Sequence, residues 1–107
     1  MKTPTLDTIR LSIHFSKKDL ETKVNIYDLI KTKLEKALRT QGITPTAVIT
    51  TATAITVRDT NGNGYYSILS PSLREYIQVY NRYLNGHVYC RTKKGSFWII
   101  LHKNIVN

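Results

Sequence analysis

Cysteine occurs once, at Cys90, so no intramolecular disulfide can form and a structural zinc site would be short of thiolates. Acids are also scarce. Seven Asp and Glu stand against 16 Lys and Arg, a formal net charge of +9, which puts anionic surfaces first among partners. Long hydrophobic runs are missing. The longest is Phe97-Trp98-Ile99-Ile100-Leu101, far below the roughly 20 residues a membrane-spanning helix needs. The first twenty residues carry charges throughout and have no apolar core of the kind a secretory signal contains. No Asn-X-Ser/Thr sequon occurs. These absences predict a soluble, cytoplasmic protein with no membrane association. What is present suffices for a core: 107 residues, 41% of them hydrophobic, make one domain over residues 1–107, with 1–7 and 104–107 as tails.

The first element is read from alternation. Ile9, Leu11, Ile13 and Phe15 alternate with Arg10, Ser12, His14 and Ser16, the period-2 pattern of a strand with one buried face. A polar stretch follows, then Val24-Asn25-Ile26-Tyr27-Asp28-Leu29, where Asn25 is a helix N-cap, Asp28 its capping-box partner and Val24 a hydrophobic staple to Leu29. Ile26, Leu29, Ile30, Leu34, Ala37 and Leu38 share one side of the helix, and Gly42 stops it. Residues 46–58, TAVITTATAITVR, are rich in β-branched types and predict one long strand or two shorter ones joined by a bend. The turn formers of residues 59–64 lead to a return strand at 65–69, giving a hairpin.

A second helix opens at Ser70 or Ser72, with Pro71 in its first turn and Glu75 completing an S-x-x-E box. Leu73, Tyr76, Ile77, Tyr80, Tyr83 and Leu84 form its apolar stripe, and Asn85-Gly86 ends it. Strands at 87–92 and 96–103, around Lys93-Lys94-Gly95-Ser96, complete a final hairpin.

This order predicts an α+β fold: a ferredoxin-like β-α-β-β-α-β unit with an added C-terminal hairpin strand, and two helices on one face of an antiparallel five-stranded sheet. In the ferredoxin-like strand order the 87–92 strand lies beside the first strand, and the first beside 65–69. The last strand then extends the sheet at the 87–92 edge. Inward-facing positions are then Ile9, Leu11, Ile13, Phe15, Tyr66, Ile68, Val88, Cys90, Phe97, Ile99 and Leu101. Arg10, His14, Tyr65, Tyr89, Arg91, Trp98 and His102 face outward.

An outward face mixing guanidinium groups with aromatic rings suits single-stranded nucleic acid, because any base stacks on an aromatic ring for roughly 1–3 kcal/mol while Arg and Lys track phosphates. Charge is also uneven along the chain. Residues 76–107 carry five basic side chains and no acid. The expected function is a small basic nucleic-acid-binding protein for RNA or single-stranded DNA, acting without cofactor, metal or catalytic residue. Its binding residues would be Arg10, His14, Tyr65, Tyr89, Arg91, Lys93, Lys94, Trp98 and Lys103. The alternative is a protein-interaction module or inhibitor, homodimeric or meeting an acidic protein surface with the same face.

Three local patterns bear on other chemistry. The topology is similar to that of the RNA-recognition motif. Asn63-Gly64-Tyr65-Tyr66-Ser67-Ile68 stands where that family has a basic-glycine-aromatic run, however, and His14 where its first strand has an aromatic, so the resemblance is one of topology. Asp59-Thr60-Asn61-Gly62-Asn63-Gly64-Tyr65 looks like the start of an EF-hand loop, but Ser70 occupies the twelfth position, where an acid is required, and a hairpin turn accounts for the same residues. Tyr76 and Tyr80 have the i,i+4 spacing of some rolling-circle initiators, and Leu6-Asp7-Thr8-Ile9-Arg10-Leu11 resembles the first strand of filamentous-phage replication initiators. That resemblance implies a metal-dependent nickase of viral or mobile-element origin. The family's His-hydrophobe-His pair is missing, since His14, His87 and His102 stand singly, and helix periodicity assigns both tyrosines to packing.

Overall fold

The computed structural model describes residues 8–21, 24–84 and 95–103. Its elements are β1 (Thr8–Phe15), α1 (Lys17–Glu21), α2 (Ile26–Thr40), β2 (Pro45–Thr50), β3 (Ala54–Asp59), β4 (Gly64–Ile68), α3 (Pro71–Leu84) and β5 (Gly95–Lys103). The fold is the expected α+β one: a curled five-stranded antiparallel sheet with α2 and α3 on one face, the β-α-β-β-α-β order carrying an extra hairpin strand. Within the described residues the extra strand is β2, which pairs with β3. The strand expected at 87–92, with Val88 and Cys90, and the Asn85-Gly86 stop lie outside them.

Strand order corrects one expectation. Among the described residues the sheet runs β1-β5-β4-β3-β2, so β5 separates β1 from β4, which were expected to be neighbours, and β1 has no described strand on its other side. β5 pairs with β1 from Gly95–Phe15 to His102–Thr8. Its pairing with β4 consists of Tyr65–Lys103 and Tyr66–His102.

Local sequence explains the boundaries. Asn25 Oδ1 accepts the Tyr27 and Asp28 N–H groups at the start of α2. At its end Gly42, with φ of 81°, lets its own N–H reach the Arg39 carbonyl and the Ile43 N–H reach that of Leu38, the Schellman pattern that favours glycine. Ser70 is the cap of α3, its Oγ accepting the Leu73 N–H at 3.2 Å, and Pro71 takes the first helical position, where no N–H is needed. Residues 46–58 resolve into two strands. Thr51 makes the bend between them: its Oγ1 accepts the Ala54 N–H at 3.1 Å and its N–H donates to the Ala54 carbonyl, a turn built by a hydroxyl with no Gly or Pro.

The inner face packs Ile9, Leu11, Ile13, Phe15, Ile55, Val57, Ile99 and Leu101 against Ile26, Ile30, Leu34 and Leu38 of α2 and Leu73, Ile77 and Tyr80 of α3. Tyr65 is corrected by this packing. Expected outward, it is buried, whereas Tyr66 and Ile68, expected inward, are exposed. The phase of β4 was ambiguous because it offers large residues on both faces: Tyr65 and Leu69 on one, Tyr66 and Ile68 on the other. Pairing resolves it, since Tyr65 lies opposite Val57, which is buried, and Tyr66 opposite Thr56 and His102, which are exposed. Among the described residues no helix is long and apolar enough to cross a membrane.

Candidate functional site

With both main helices on the inner face, no described element covers the outer face of the sheet. β1 contributes Arg10, Ser12 and His14, β5 contributes Ser96, Trp98, Ile100 and His102, β4 contributes Tyr66 and Ile68, and β3 contributes Thr56 and Arg58, all exposed. They are outward because their neighbours at i±1 are core residues and strand side chains alternate. Trp98, the chain's one tryptophan, retains 70% of its surface to solvent. It sits opposite Ser12, with Arg10 opposite Ile100 and His14 opposite Ser96 on the same pair of strands.

Two contacts order this face. His14 Nδ1 and Ser96 Oγ lie 2.7 Å apart across the β1–β5 pair. The Tyr66 and His102 rings meet with centroids 6.0 Å apart and planes at 45°. The surface therefore offers an indole, a phenol and two imidazoles, with Arg10 and Arg58 at opposite sides of the sheet. It can stack planar groups and attract anions. It also carries the exposed apolar side chains of Ile49, Ile68 and Ile100.

Of the expected binding residues, Arg10, His14 and Trp98 share this face. Tyr65 is in the core, where burial and the nearby Asp59 carboxylate raise its hydroxyl above the usual tyrosine range. Lys103, half-buried, pairs with Tyr65 at the end of the sheet and so belongs to the inner phase of β5. Tyr89, Arg91, Lys93 and Lys94 lie outside the described residues. Sequence reading missed Tyr66 and Arg58 for the outer face. Arg58 was legible from the alternation Ile55-Thr56-Val57-Arg58, had the strand been divided at Thr51.

Of the α3 tyrosines, Tyr80 is a core residue and Tyr76, partly buried, packs against the core. Tyr80 is fully buried and donates its hydroxyl to the Val24 carbonyl at 2.7 Å. Tyr76 stacks on Phe15, with centroids 5.0 Å apart, and meets the edge of Phe97 at the same distance. Its hydroxyl is buried with no hydrogen-bond partner among the described residues, and burial pushes its pKa up to about 12. A phenol so held is a poor nucleophile. Tyr83 lies outside the described side chains. The Asp59 loop is a turn: its carboxylate accepts the Asn61 and Asn63 N–H groups at 2.9 and 2.8 Å and the Asn63 side-chain amide at 3.3 Å. Among the described residues no group of three or more His, Cys, Asp or Glu converges on one point.

A groove of about 720 Å³ runs beside the outer face, between the free edge of β1 and the side of α2 bearing Lys33, Lys36, Ala37 and Thr40. Comparison with protein-family models, with curated proteins and with solved structures returns no match.

Proposed function

We propose that this is a small nucleic-acid-binding protein that holds RNA or single-stranded DNA on the outer face of its sheet. One observation carries the reading: an indole 70% exposed on the outer face of the sheet, where no described element covers it, on a chain of net charge +9. A large aromatic left in water on a sheet face is costly unless it meets a partner, and bases are planar, stackable partners whose phosphates match the cationic surroundings. In this account Trp98 and Tyr66 stack bases, and Arg10 and Arg58 contact phosphates. Fluorescence anisotropy of labelled (dT)15 and (rU)15 across a salt series tests it. Binding should weaken with salt by roughly 0.7 log units per log unit of salt for each phosphate neutralised. Trp98→Ala should weaken it by about 1–3 kcal/mol. An absence of binding to both oligonucleotides at low salt contradicts the proposal.

A second reading, a protein interface or homodimer through the same face, draws on Ile49, Ile68 and Ile100, which are exposed beside the aromatics. Under that reading the free protein sediments as a dimer and Trp98→Glu dissociates it.

A further inference from the structure

A sheet edge is a row of unpaired N–H and C=O groups, and folded proteins usually blunt theirs. The two edges of this sheet are treated differently. β2 begins with Pro45, has a register shift between Pro45 and Ala47, and ties Thr46 Oγ1 to the Arg58 carbonyl, so it is short and irregular. β1 is eight residues long, free of proline and of bulges, and regularly paired with β5 throughout. Among the described residues its outer side is met at one point: Gln41 Nε2 donates to the Arg10 carbonyl at 2.9 Å. That bond shows which way the edge faces. A carbonyl reached by a helix side chain from outside the sheet points away from β5, and by strand alternation the N–H and C=O groups of Ser12 and His14 do the same.

Facing this edge is a helical stripe, Lys33, Lys36, Ala37 and Thr40 at i, i+3, i+4 and i+7, and the two enclose the groove. The groove is bounded at one end by the Gln41–Arg10 contact and at the other by the ion pair of Lys33 with Asp19 at 2.9 Å. Between them lie Ser12 and His14, a stretch of about 14 Å from Arg10 to His14 at the usual rise per strand residue. The Asp19 carboxylate is engaged by Lys33 and by the Ser16 N–H. Among the described residues, Lys36 and the Arg10 guanidinium make no ion pair.

We infer that the free edge of β1 and the cationic stripe of α2 take an extended acidic peptide as an added strand. The edge alternates donors and acceptors, which another peptide backbone satisfies in full. The phosphates of a nucleic acid bring acceptors alone and would set their oxygens against the Ser12 and His14 carbonyls. A second copy of this chain is disfavoured by charge, since it would press a second set of Arg10, Lys33 and Lys36 against the first. Carboxylates at alternate peptide positions would lie along the α2 stripe, where Lys36 makes no ion pair among the described residues.

Titration of the full chain with a fluorescein-labelled octapeptide of alternating Glu and Val, together with amide exchange followed by NMR, tests the inference. The peptide should bind, and the Ser12 and His14 amides should gain protection on its addition. Lys36→Glu should weaken binding tenfold or more, and an octapeptide of alternating Lys and Val should not bind. The inference is overturned if the acidic peptide does not bind, if Lys36→Glu leaves its affinity unchanged, or if (dT)15 rather than the peptide protects those two amides. Protection of the same amides without peptide, in a protein that sediments as a dimer, would overturn it in favour of self-pairing. These readouts are separate from the oligonucleotide binding that tests the outer face, so either proposal can fail alone.

Discussion

Residues of one type divide sharply by environment in this protein. Tyr76 and Tyr80 occupy one helix face a turn apart, yet among the described residues one buried hydroxyl is satisfied and the other is not. A buried hydroxyl without a partner costs its desolvation, whereas a bonded one offsets it. Tyr76→Phe is therefore expected to raise stability by about 1 kcal/mol and Tyr80→Phe to lower it by about the same amount, read from urea-unfolding midpoints. Loss of stability in Tyr76→Phe would show that the Tyr76 hydroxyl has a partner. Burial of this stripe was legible from helical periodicity. The difference between its two hydroxyls was not, because it depends on Val24, 56 residues away in the chain. Tyr65 and Tyr66 make the same point for a strand: adjacent and chemically identical, they were separable only by the residues they pair with.

Elements with their own chemical punctuation were readable in advance. The start of α2 at Asn25, its stop at Gly42 and the start of α3 at Ser70 all follow from short-range hydrogen bonding that the residue types dictate. The short helix α1 was missed although its signal was present: Ser16 and Asp19 form a reciprocal box, the Ser16 N–H donating to Asp19 Oδ2 at 2.9 Å and the Asp19 N–H to Ser16 Oγ at 3.1 Å. Asp19 then carries a second load, bridging α1 to Lys33 of α2. The Ser16 N–H and Lys33 hold its carboxyl down to about 2, against an ordinary value of 3.8. A carboxylate held below its unfolded pKa stabilises the fold above about pH 4, and that contribution is lost as pH falls towards 2. With a quarter of the side chain in water, screening reduces the contribution to about 1 kcal/mol. Unfolding free energy measured from pH 5 down to pH 2 should fall more steeply in the wild type than in Asp19→Asn. Equal slopes would contradict the assignment.

At the scale of the whole molecule, strand order was the least legible feature. Hydrophobic alternation marks which face of a strand is buried but not which strand lies beside it, so β5 could not be placed between β1 and β4 from the pattern of either. That placement matters for function. It sets Trp98 opposite Ser12 and brings Arg10 and His14 onto the same surface as the indole. It also leaves β1 as an edge among the described strands, facing a lysine-bearing helix. Of the candidate binding residues, Arg10, His14 and Trp98 were legible because their strands alternate cleanly, while Tyr65 was lost to the ambiguous phase of β4. The cationic excess thus accompanies two distinct surfaces, an aromatic face that we propose meets bases and an edge groove that we propose meets carboxylates.

Because Trp98 is the one tryptophan in the chain, its intrinsic fluorescence reports directly on the claim that bases stack there. Addition of (dT)15 at low salt should quench the emission in step with binding followed by anisotropy, and added salt should reverse both. An oligonucleotide that binds while Trp98 emission stays unchanged, or that does not bind at all, would contradict the account.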